Sequence, residues 1–511
     1  MILPRDLPGL RPLAPAVAEL LPQQRWYAGD RHPRQVDPLA LVWVRQESPA
    51  AALTVWEVTD ADGATDRYHL PLGFRPATQT LPPGLEPLAT EDEEGRPGDA
   101  WIAYDGLGDP ELATHLLRWM DRPGREGALG ATVVRRRLGP AAALEPPDSA
   151  TPLGGDHTNS GVVYDERLLL KVFRRLWPGI NPEVELTTAL LAAGFDRIPR
   201  PLLALELEAP GGPWSLAVVQ TYLRHGTDGF SLALTSLRDL FGDIRFEADG
   251  AVPMPGVCEE AVTGQGGSFE TDAERLGVLT AAMHRALAAG AEPQLQPEPI
   301  LGGDLDRWAA EMEAALERLL AADDPRLEAL RPQADALRTA FERLRRLPPS
   351  GQRIRLHGDF HLGQLLRVDD GWTVLDFEGE PARPIAERRA KRSPLQDVAG
   401  VLRSFDYAAA VAVRQQAAPD EPRWNSLVPF GRTWAKRNRS RFLAGYLTTL
   451  EGSDLLPRDP ATVADSLAAF QLGKALYEVS YELAHRPDWA VIPLADIADI
   501  ARRRGGPGDT P

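Results

Sequence analysis

Lysine is nearly missing from this 511-residue chain: Lys171, Lys391, Lys436 and Lys474 are four among 56 basic residues. Arginine therefore does most of the ordinary ion pairing, and the few lysines mark candidate places where a compact ammonium is needed. A biased genome base composition accounts for the scarcity equally well. Cysteine is reduced to Cys258, which excludes an internal disulfide and, with no base signature nearby, reads as inert. No apolar run approaches the roughly twenty residues needed to cross a bilayer. Met1-Ile-Leu-Pro-Arg-Asp-Leu7 lacks the basic and apolar regions of a secretory leader, so a cytoplasmic location without a membrane partner is expected. There is no basic surplus either: the formal charge is −17, which argues against a nucleic-acid partner. What remains is a globular composition, 43% apolar and 25% charged, with length enough for two or three domains.

The most informative stretch is His357-Gly-Asp-Phe-His-Leu-Gly-Gln364, followed by Val374-Leu-Asp-Phe-Glu378. Phosphoryl transfer needs a hydroxyl held in line, a base near its proton and cations over the phosphate charge. Asp359 is placed to be the base. Leu365-Leu366 and Val374-Leu375 are short apolar runs around Val368-Asp-Asp-Gly-Trp372, whose Asp-Gly signals a hairpin. Its converging ends bring together Gln364 and Asp376, oxygen ligands of the kind that suit Mg²⁺. His357 and His361, four apart, also suggest zinc. Gly358 and the strand that follows argue against the helix such ligation needs, and the Glu of His-Glu-x-x-His is missing.

A nucleotide lobe is legible upstream. Leu153-Gly-Gly-Asp-His-Thr-Asn-Ser-Gly161 is a glycine- and hydroxyl-rich turn entering a strand, and Leu168-Leu-Leu-Lys-Val-Phe173 is the next strand. Such a turn lets backbone N–H groups approach phosphate oxygens, with Thr158, Asn159 and Ser160 as polar contacts and Lys171 reaching the phosphates. Asn181-Pro-Glu-Val-Glu185 opens a helix with acids in its first turn, which makes Glu185 the expected ion-pair partner of Lys171. Trp214 to Leu223 reads as an apolar strand whose backbone near Gln220 and Tyr222 would meet the adenine edge. Phe230 to Phe241 reads as a helix, and Asp243 to Phe269, rich in Gly, Pro and polar residues, as a long surface loop.

Three domains are expected: residues 1–100 as a small separate module, 101–223 as the nucleotide lobe and 224–511 as a mostly helical lobe. In the first, strands around Leu39–Val44, Leu53–Val58 and Arg67–Leu72, with the turn Thr59-Asp-Ala-Asp-Gly63, suggest an antiparallel sheet. Arg25, Trp26 and Asp30 either reach another domain or form a surface Arg beside a buried Trp. In the last, Asp304–Leu320, Arg326–Leu347, Pro394–Val411, Thr433–Leu450 and Ala461–Ala484 carry apolar faces with the 3.6-residue helical period. Lys474, Tyr477 and Tyr481 share one helix face, a lysine among tyrosines that suits either a sugar platform or ordinary snorkelling.

The segments His357-Gly-Asp-Phe-His-Leu-Gly-Gln-Leu-Leu366, Asp376-Phe-Glu-Gly-Glu-Pro-Ala-Arg-Pro384, Ser393 to Tyr407 and Lys474 to Ala484 closely resemble bacterial maltokinase. The likeness extends to Gln24-Arg-Trp-Tyr-Ala-Gly29, Thr158-Asn-Ser160, Asn181-Pro182, Gly226-Thr-Asp-Gly229, Gly267-Ser-Phe269 and Arg486-Pro-Asp-Trp489, and so covers nearly the whole chain. It implies an α+β, bilobal, protein-kinase-like (aminoglycoside-phosphotransferase-like) fold with an additional amino-terminal cap and a helical C-lobe. It further implies ATP- and Mg²⁺-dependent phosphorylation of the anomeric hydroxyl of maltose, giving maltose 1-phosphate for α-glucan synthesis. By that likeness Asp359 is the base, Gln364 and Asp376 hold Mg²⁺, Lys171 and Glu185 clamp phosphate, and Lys474, Tyr477 and Tyr481 touch the disaccharide. A trehalose synthase is the implied partner enzyme. The glycine turn departs from the family pattern, as do Tyr27 and Asp30. A related kinase acting on glucosamine is the alternative, and a non-catalytic descendant of a kinase is the third reading.

Overall fold

The computed structural model describes residues 6, 8–29, 33–91, 100–139, 143–154, 159–209, 212–244, 252–266, 268–381 and 383–503. Asp30 and Thr158 lie outside the described residues. The chain divides into two compact units, Met1–Leu191 with Pro199–Arg224, and Ala192–Ile198 with His225–Pro511.

The first unit opens with helix α1 (Ala14–Leu20) and the strands β1 (Gln35–Arg45), β2 (Ala50–Thr59), β3 (Thr65–Pro76), β4 (Ala89–Glu91) and β5 (Trp101–Asp105). These strands form an antiparallel sheet ordered β1-β2-β3-β5-β4, and the Asp62-Gly63 turn joins β2 to β3. Helix α2 (Pro110–Met120) follows, held at its start by Asp109, whose carboxylate accepts the Glu111 N–H at 3.1 Å. A second sheet contains β6 (Gly124–Ala128), β7 (Ala131–Arg137), β8 (Ala150–Leu153), β9 (Ser160–Tyr164) and β10 (Leu168–Val172). After β11 (Arg175–Leu176) and helix α3 (Pro182–Ala192), it is completed by β12 (Pro201–Ala209) and β13 (Gly212–Thr221), in the order β6-β7-β12-β13-β10-β9-β8.

The amino-terminal hundred residues fall in one compact unit with the second sheet. β11 continues directly from β10, yet pairs with β3, so one strand path runs from the second sheet into the first. Ala40, Val42, Leu53 and Val55 of β1 and β2 also share a core with Val133, Val162, Leu170 and Leu205 of the second sheet. A second core, including Leu10, Trp56, Tyr68, Phe74 and Trp101, closes the other face of the first sheet. The strands β1 and β2 were visible in the sequence; that both faces of their sheet find apolar partners was not.

The second unit begins with β14 (Thr227–Asp228), α4 (Gly229–Asp243), α5 (Pro255–Ala261) and α6 (Ser268–Ala288). The expected long loop over Asp243–Phe269 is therefore partly helical. Pro255 sits in the first turn, where a missing N–H costs nothing, and Cys258 is buried against the core. Next come β15 (Glu298–Pro299), α7 (Gly302–Ala321), α8 (Ala334–Arg345) and β16 (Gln352–Arg353), then the hairpin β17 (Leu365–Val368) and β18 (Gly371–Val374). The helix expected from Arg326 starts properly only at Ala334, because Pro332 breaks it into short 3₁₀ turns. Helices α9 (Ile385–Arg388), α10 (Leu395–Gln416), α11 (Pro422–Thr449), α12 (Pro460–His485) and α13 (Val491–Arg503) complete the unit. α11 starts eleven residues before Thr433 and runs through Pro429. Among the described residues no helix is long and apolar enough to cross a membrane.

Candidate active site

In the first unit, Lys171 occupies the middle of β10, paired with Gly161 of β9 and Val218 of β13. Its Nζ lies 4.0 Å from Glu183 Oε2, a carboxylate that is 2% exposed. Glu183 was not singled out in the sequence; Glu185, which was, follows two residues later on α3 and is half-buried. Asn181 sets the start of that helix: its side-chain oxygen accepts the Glu183 N–H at 2.8 Å, and its own N–H donates to Ser215 Oγ at 2.9 Å. The segment thus presents acids from its first turn toward the strand that carries the lysine. Ser160 starts β9, and its Oγ accepts a hydrogen bond from Arg174 Nε at 2.8 Å. Asn159 precedes it, half-buried.

Gln220 and Tyr222, expected near the adenine edge, lie at the end of β13. β13 is an inner strand, so Gln220 is paired with Leu169 on one side and Pro201 on the other. The Tyr222 N–H donates to the Arg167 carbonyl at 2.8 Å. The Tyr222 N–H is thus engaged within the first unit. A strand read alone does not reveal whether it lies at an edge.

In the second unit, the β17–β18 hairpin turns at Asp369-Asp370, and its ends meet where the sequence placed them: the Leu375 N–H donates to the Gln364 carbonyl at 2.9 Å. Gln364 Nε2 then lies 3.4 Å from Asp376 Oδ2. Asp376 has φ +62°, a left-handed conformation that costs a non-glycine residue about 1–3 kcal/mol and is kept where the surroundings demand it. An amide and a carboxylate held this close form a hard oxygen donor set that fits Mg²⁺.

Asp359 stands on a loop built by three neighbours. Asp397, 2% exposed at the start of α10, accepts the N–H groups of His357 at 2.9 Å and Gly358 at 3.0 Å. His284 Nε2 lies 3.2 Å from the same carboxylate, and its Nδ1 lies 2.9 Å from the Tyr446 hydroxyl. His357 donates from Nε2 to the Leu375 carbonyl at 2.8 Å, which ties the loop to the hairpin and leaves Nδ1 to accept the Asp359 N–H at 3.4 Å. With both ring nitrogens so engaged, His357 is a brace and not a metal ligand. Gly358 has φ +84°, and a Cβ there would lie 3.3 Å from Gly379 Cα, so only glycine suits this crossing.

Lys474 of α12 donates to Asp359 Oδ1 at 3.1 Å and to Glu380 Oε1 at 2.6 Å. Glu380, 2% exposed, is paired in addition with Arg383. Burial by itself would raise the Asp359 pKa, but Lys474, His361 and His357 outweigh it and hold the carboxyl below its ordinary value. Burial likewise opposes the charge on Lys474; Glu380 and then Asp359 override it and raise its pKa. The centre therefore holds an ionised carboxylate and an ionised ammonium at neutral pH. Burial pushes the His361 pKa down, so this ring is neutral there, with Nε2 4.0 Å from Asp359 Oδ2. α12 is fixed in turn by fully buried Arg403, which donates to Glu478 at 2.6 Å, one turn beyond Lys474, and to Asp496 at 2.8 Å.

A cavity of about 670 Å³ lies beside this cluster, lined by Gly358, Glu380, Arg383, Lys474 and Tyr477 and backed by Phe470. Lys474 Nζ sits 4.6 Å from the Tyr477 ring centroid. Tyr477 and Tyr481 stack at 6.4 Å, yet Tyr481 is 44% exposed and stacked on His485 at 4.3 Å. The expected shared face exists. Its lysine, however, is engaged by two carboxylates, and only the nearer tyrosine lines the cavity. Glu380, Asp397 and His284 were not singled out from sequence: each acts through a partner 94, 39 or 113 residues away, at a separation that no local pattern encodes.

Residues 20–109 match the maltokinase N-terminal cap domain, and residues 260–430 match the phosphotransferase enzyme family. A glucosamine kinase of Streptacidiphilus jiangxiensis is 31% identical over 401 residues, covering 75% of this chain and 83% of that one. A second glucosamine kinase, from Mycolicibacterium smegmatis, is 29% identical over 357 residues, covering 68% and 78%. A solved glucosamine kinase in complex with glucosamine, ADP and inorganic phosphate is 25% identical, with a TM-score of 0.64 over 94% of this chain and 98% of that one.

Proposed function

Because the chain belongs to the phosphotransferase enzyme family and carries a maltokinase amino-terminal cap, we propose that it transfers the γ-phosphoryl group of ATP to the anomeric hydroxyl of maltose. The observation that carries this reading is the charge-paired Asp359, held through Lys474 to Glu380 at the edge of a cavity of about 670 Å³.

Asp359 is ionised at neutral pH and so able to accept the proton of a hydroxyl brought within hydrogen-bond distance. Asp397 and His357 fix the loop that carries it, which limits the base to a narrow range of positions. Gln364 and Asp376 would hold Mg²⁺, which supplies positive charge to the transferring phosphate when bound. Lys171, kept in place by acids of α3 including Glu183 and Glu185, binds phosphate oxygens, with Asn159 and Ser160 beside the glycine turn. Lys474 neutralises Asp359 in the resting site; an incoming hydroxyl competes for the same carboxylate, with Glu380 keeping the ammonium in place.

Two features favour maltose. The cavity, within the range of about 300–1,000 Å³ typical of small-molecule sites, leaves room for a disaccharide. The match to the maltokinase cap, together with the segments Asp376–Pro384 and Lys474–Ala484 that resemble maltokinase, supports it as well. Maltose 1-phosphate so formed would feed α-glucan synthesis, and an enzyme that makes maltose from trehalose is the partner that fits. The second reading, glucosamine as acceptor, is favoured by the names of the relatives at 31% and 29% identity. Acceptor-dependent ADP release with maltose, glucosamine and glucose decides between them, and no release with any sugar favours a non-catalytic descendant.

A further inference from the structure

Lys171 shares its face of the second sheet with residues that the core does not claim. In an antiparallel pair, directly opposed residues and residues two apart point to the same side. The register therefore sets Val163, Leu169 and Gln220 on the side of Lys171, and Val162, Leu170 and Val172 on the other. The second three are fully buried, whereas Val163 and Leu169 are only half-buried. A strip of apolar surface thus stays open beside the lysine. Gln220, opposed to Leu169 across β10 and β13, borders that strip. It is 7% exposed, and its Oε1 is buried with no hydrogen-bond partner among the described residues. A buried carbonyl in that state costs stability, and a folded chain that keeps one calls for an explanation.

We propose that the Gln220 carboxamide reads the base of a bound nucleoside triphosphate and selects an amino purine, adenine, over an oxo purine, guanine or hypoxanthine; this rests on the reading of the first unit as the nucleotide lobe. Lys171 and Gln220 lie on one face, two residues along and one strand apart. Phosphates held by the lysine therefore leave the base over Val163 and Leu169, with an edge toward the glutamine. An adenine edge offers the N6 donor beside the N7 acceptor, and a carboxamide meets both at once, Oε1 accepting and Nε2 donating. The matching guanine edge offers O6 and N7, which are both acceptors. Turning the amide over does not rescue that pairing, because Nε2 then meets one acceptor while the carbonyl faces the other. Adenine is the base that satisfies Oε1, and an oxo purine leaves it as unpaired as in the empty protein.

The substitution that tests this is Gln220→Met, which keeps the length of the side chain and removes the amide. Affinities for ATP, GTP and ITP are titrated calorimetrically with Mg²⁺ and no sugar, for the wild-type chain, Gln220→Met and Lys171→Met. The wild type is expected to bind ATP about tenfold tighter than either oxo purine, the order of one paired base contact. Gln220→Met should lose that preference by weakening ATP alone, with the KM for sugar unchanged. Its melting temperature without nucleotide should equal or exceed that of the wild type, because the variant no longer buries an unpaired carbonyl. Lys171→Met should weaken all three nucleotides alike. Equal wild-type affinities for ATP and ITP, or an ATP preference that survives Gln220→Met, would overturn the proposal alone. So would a lowered melting temperature with equal losses for all three nucleotides, which would make Gln220 a packing residue. Absence of nucleotide binding by the wild-type chain, or unchanged affinities in Lys171→Met, would overturn the nucleotide-lobe reading, and the proposal with it.

Discussion

Acid should loosen the cap at one identifiable residue. His69 lies in the middle of β3, fully buried, and its pKa is pushed down from 6.5 to about 3, by burial first and by the neighbouring Arg174 cation second. In the unfolded chain the same imidazole titrates near its ordinary value. Between those two values the unfolded state binds a proton that the folded state refuses, so stability falls as the pH is lowered through this window and is fully present above it. At pH 4.5, about two units below the unfolded value, the loss from this group is roughly 3 kcal/mol at about 1.4 kcal/mol per unit. That is a large share of the roughly 5–15 kcal/mol that holds a typical protein folded. His69→Leu removes the titration while filling a similar volume. Urea titrations of both proteins from pH 7 down to pH 4.5 measure the difference directly. The wild type should lose roughly 3 kcal/mol more than the variant over that range. A gap between the two proteins that does not change with pH would show that His69 is not the buried neutral group described, and would refute the reasoning.

Three further outcomes follow from the second unit. Asp359→Asn should keep Mg²⁺-ATP affinity, measured calorimetrically, and lower turnover by roughly 10²-fold or more; near-normal turnover would remove it from the mechanism. Lys474→Met takes away the cation that holds the Asp359 pKa down. The acid limb of the kcat profile should then move to higher pH, and an unmoved limb would mean that the ion pair at 3.1 Å does not control the base. Tyr477→Phe should raise the KM for sugar more than that for ATP, and more than Tyr481→Phe does, because only Tyr477 lines the cavity. Equal effects of the two substitutions on both substrates would indicate packing instead of recognition.

The parts of the site that were legible in the sequence are those built by neighbours in the chain. Gln364 and Asp376 were brought together on paper because an Asp-Gly turn and two short apolar runs specify a hairpin, and twelve residues is a short loop to close. Lys474 and Tyr477 were placed on one face because a helix has a fixed period. Illegible were the groups whose partners come from elsewhere. Asp397 reads as an ordinary acid in a first helical turn until the folded chain sets the His357 and Gly358 N–H groups against it. That β13 lies inside its sheet was also illegible, because a sequence does not say which strand is inner. Proline misled as well: the Gly- and Pro-rich run Asp243–Phe269 read as loop, whereas Pro255 starts a helix within it.

The central claim is that the Asp359 centre takes a neutral disaccharide hydroxyl as its acceptor. ADP release from Mg²⁺-ATP, followed with maltose, glucosamine and glucose at equal concentrations, tests it most directly. The account predicts strong release with maltose that Asp359→Asn abolishes, and weak release with the other two. Faster release with glucosamine than with maltose would contradict it.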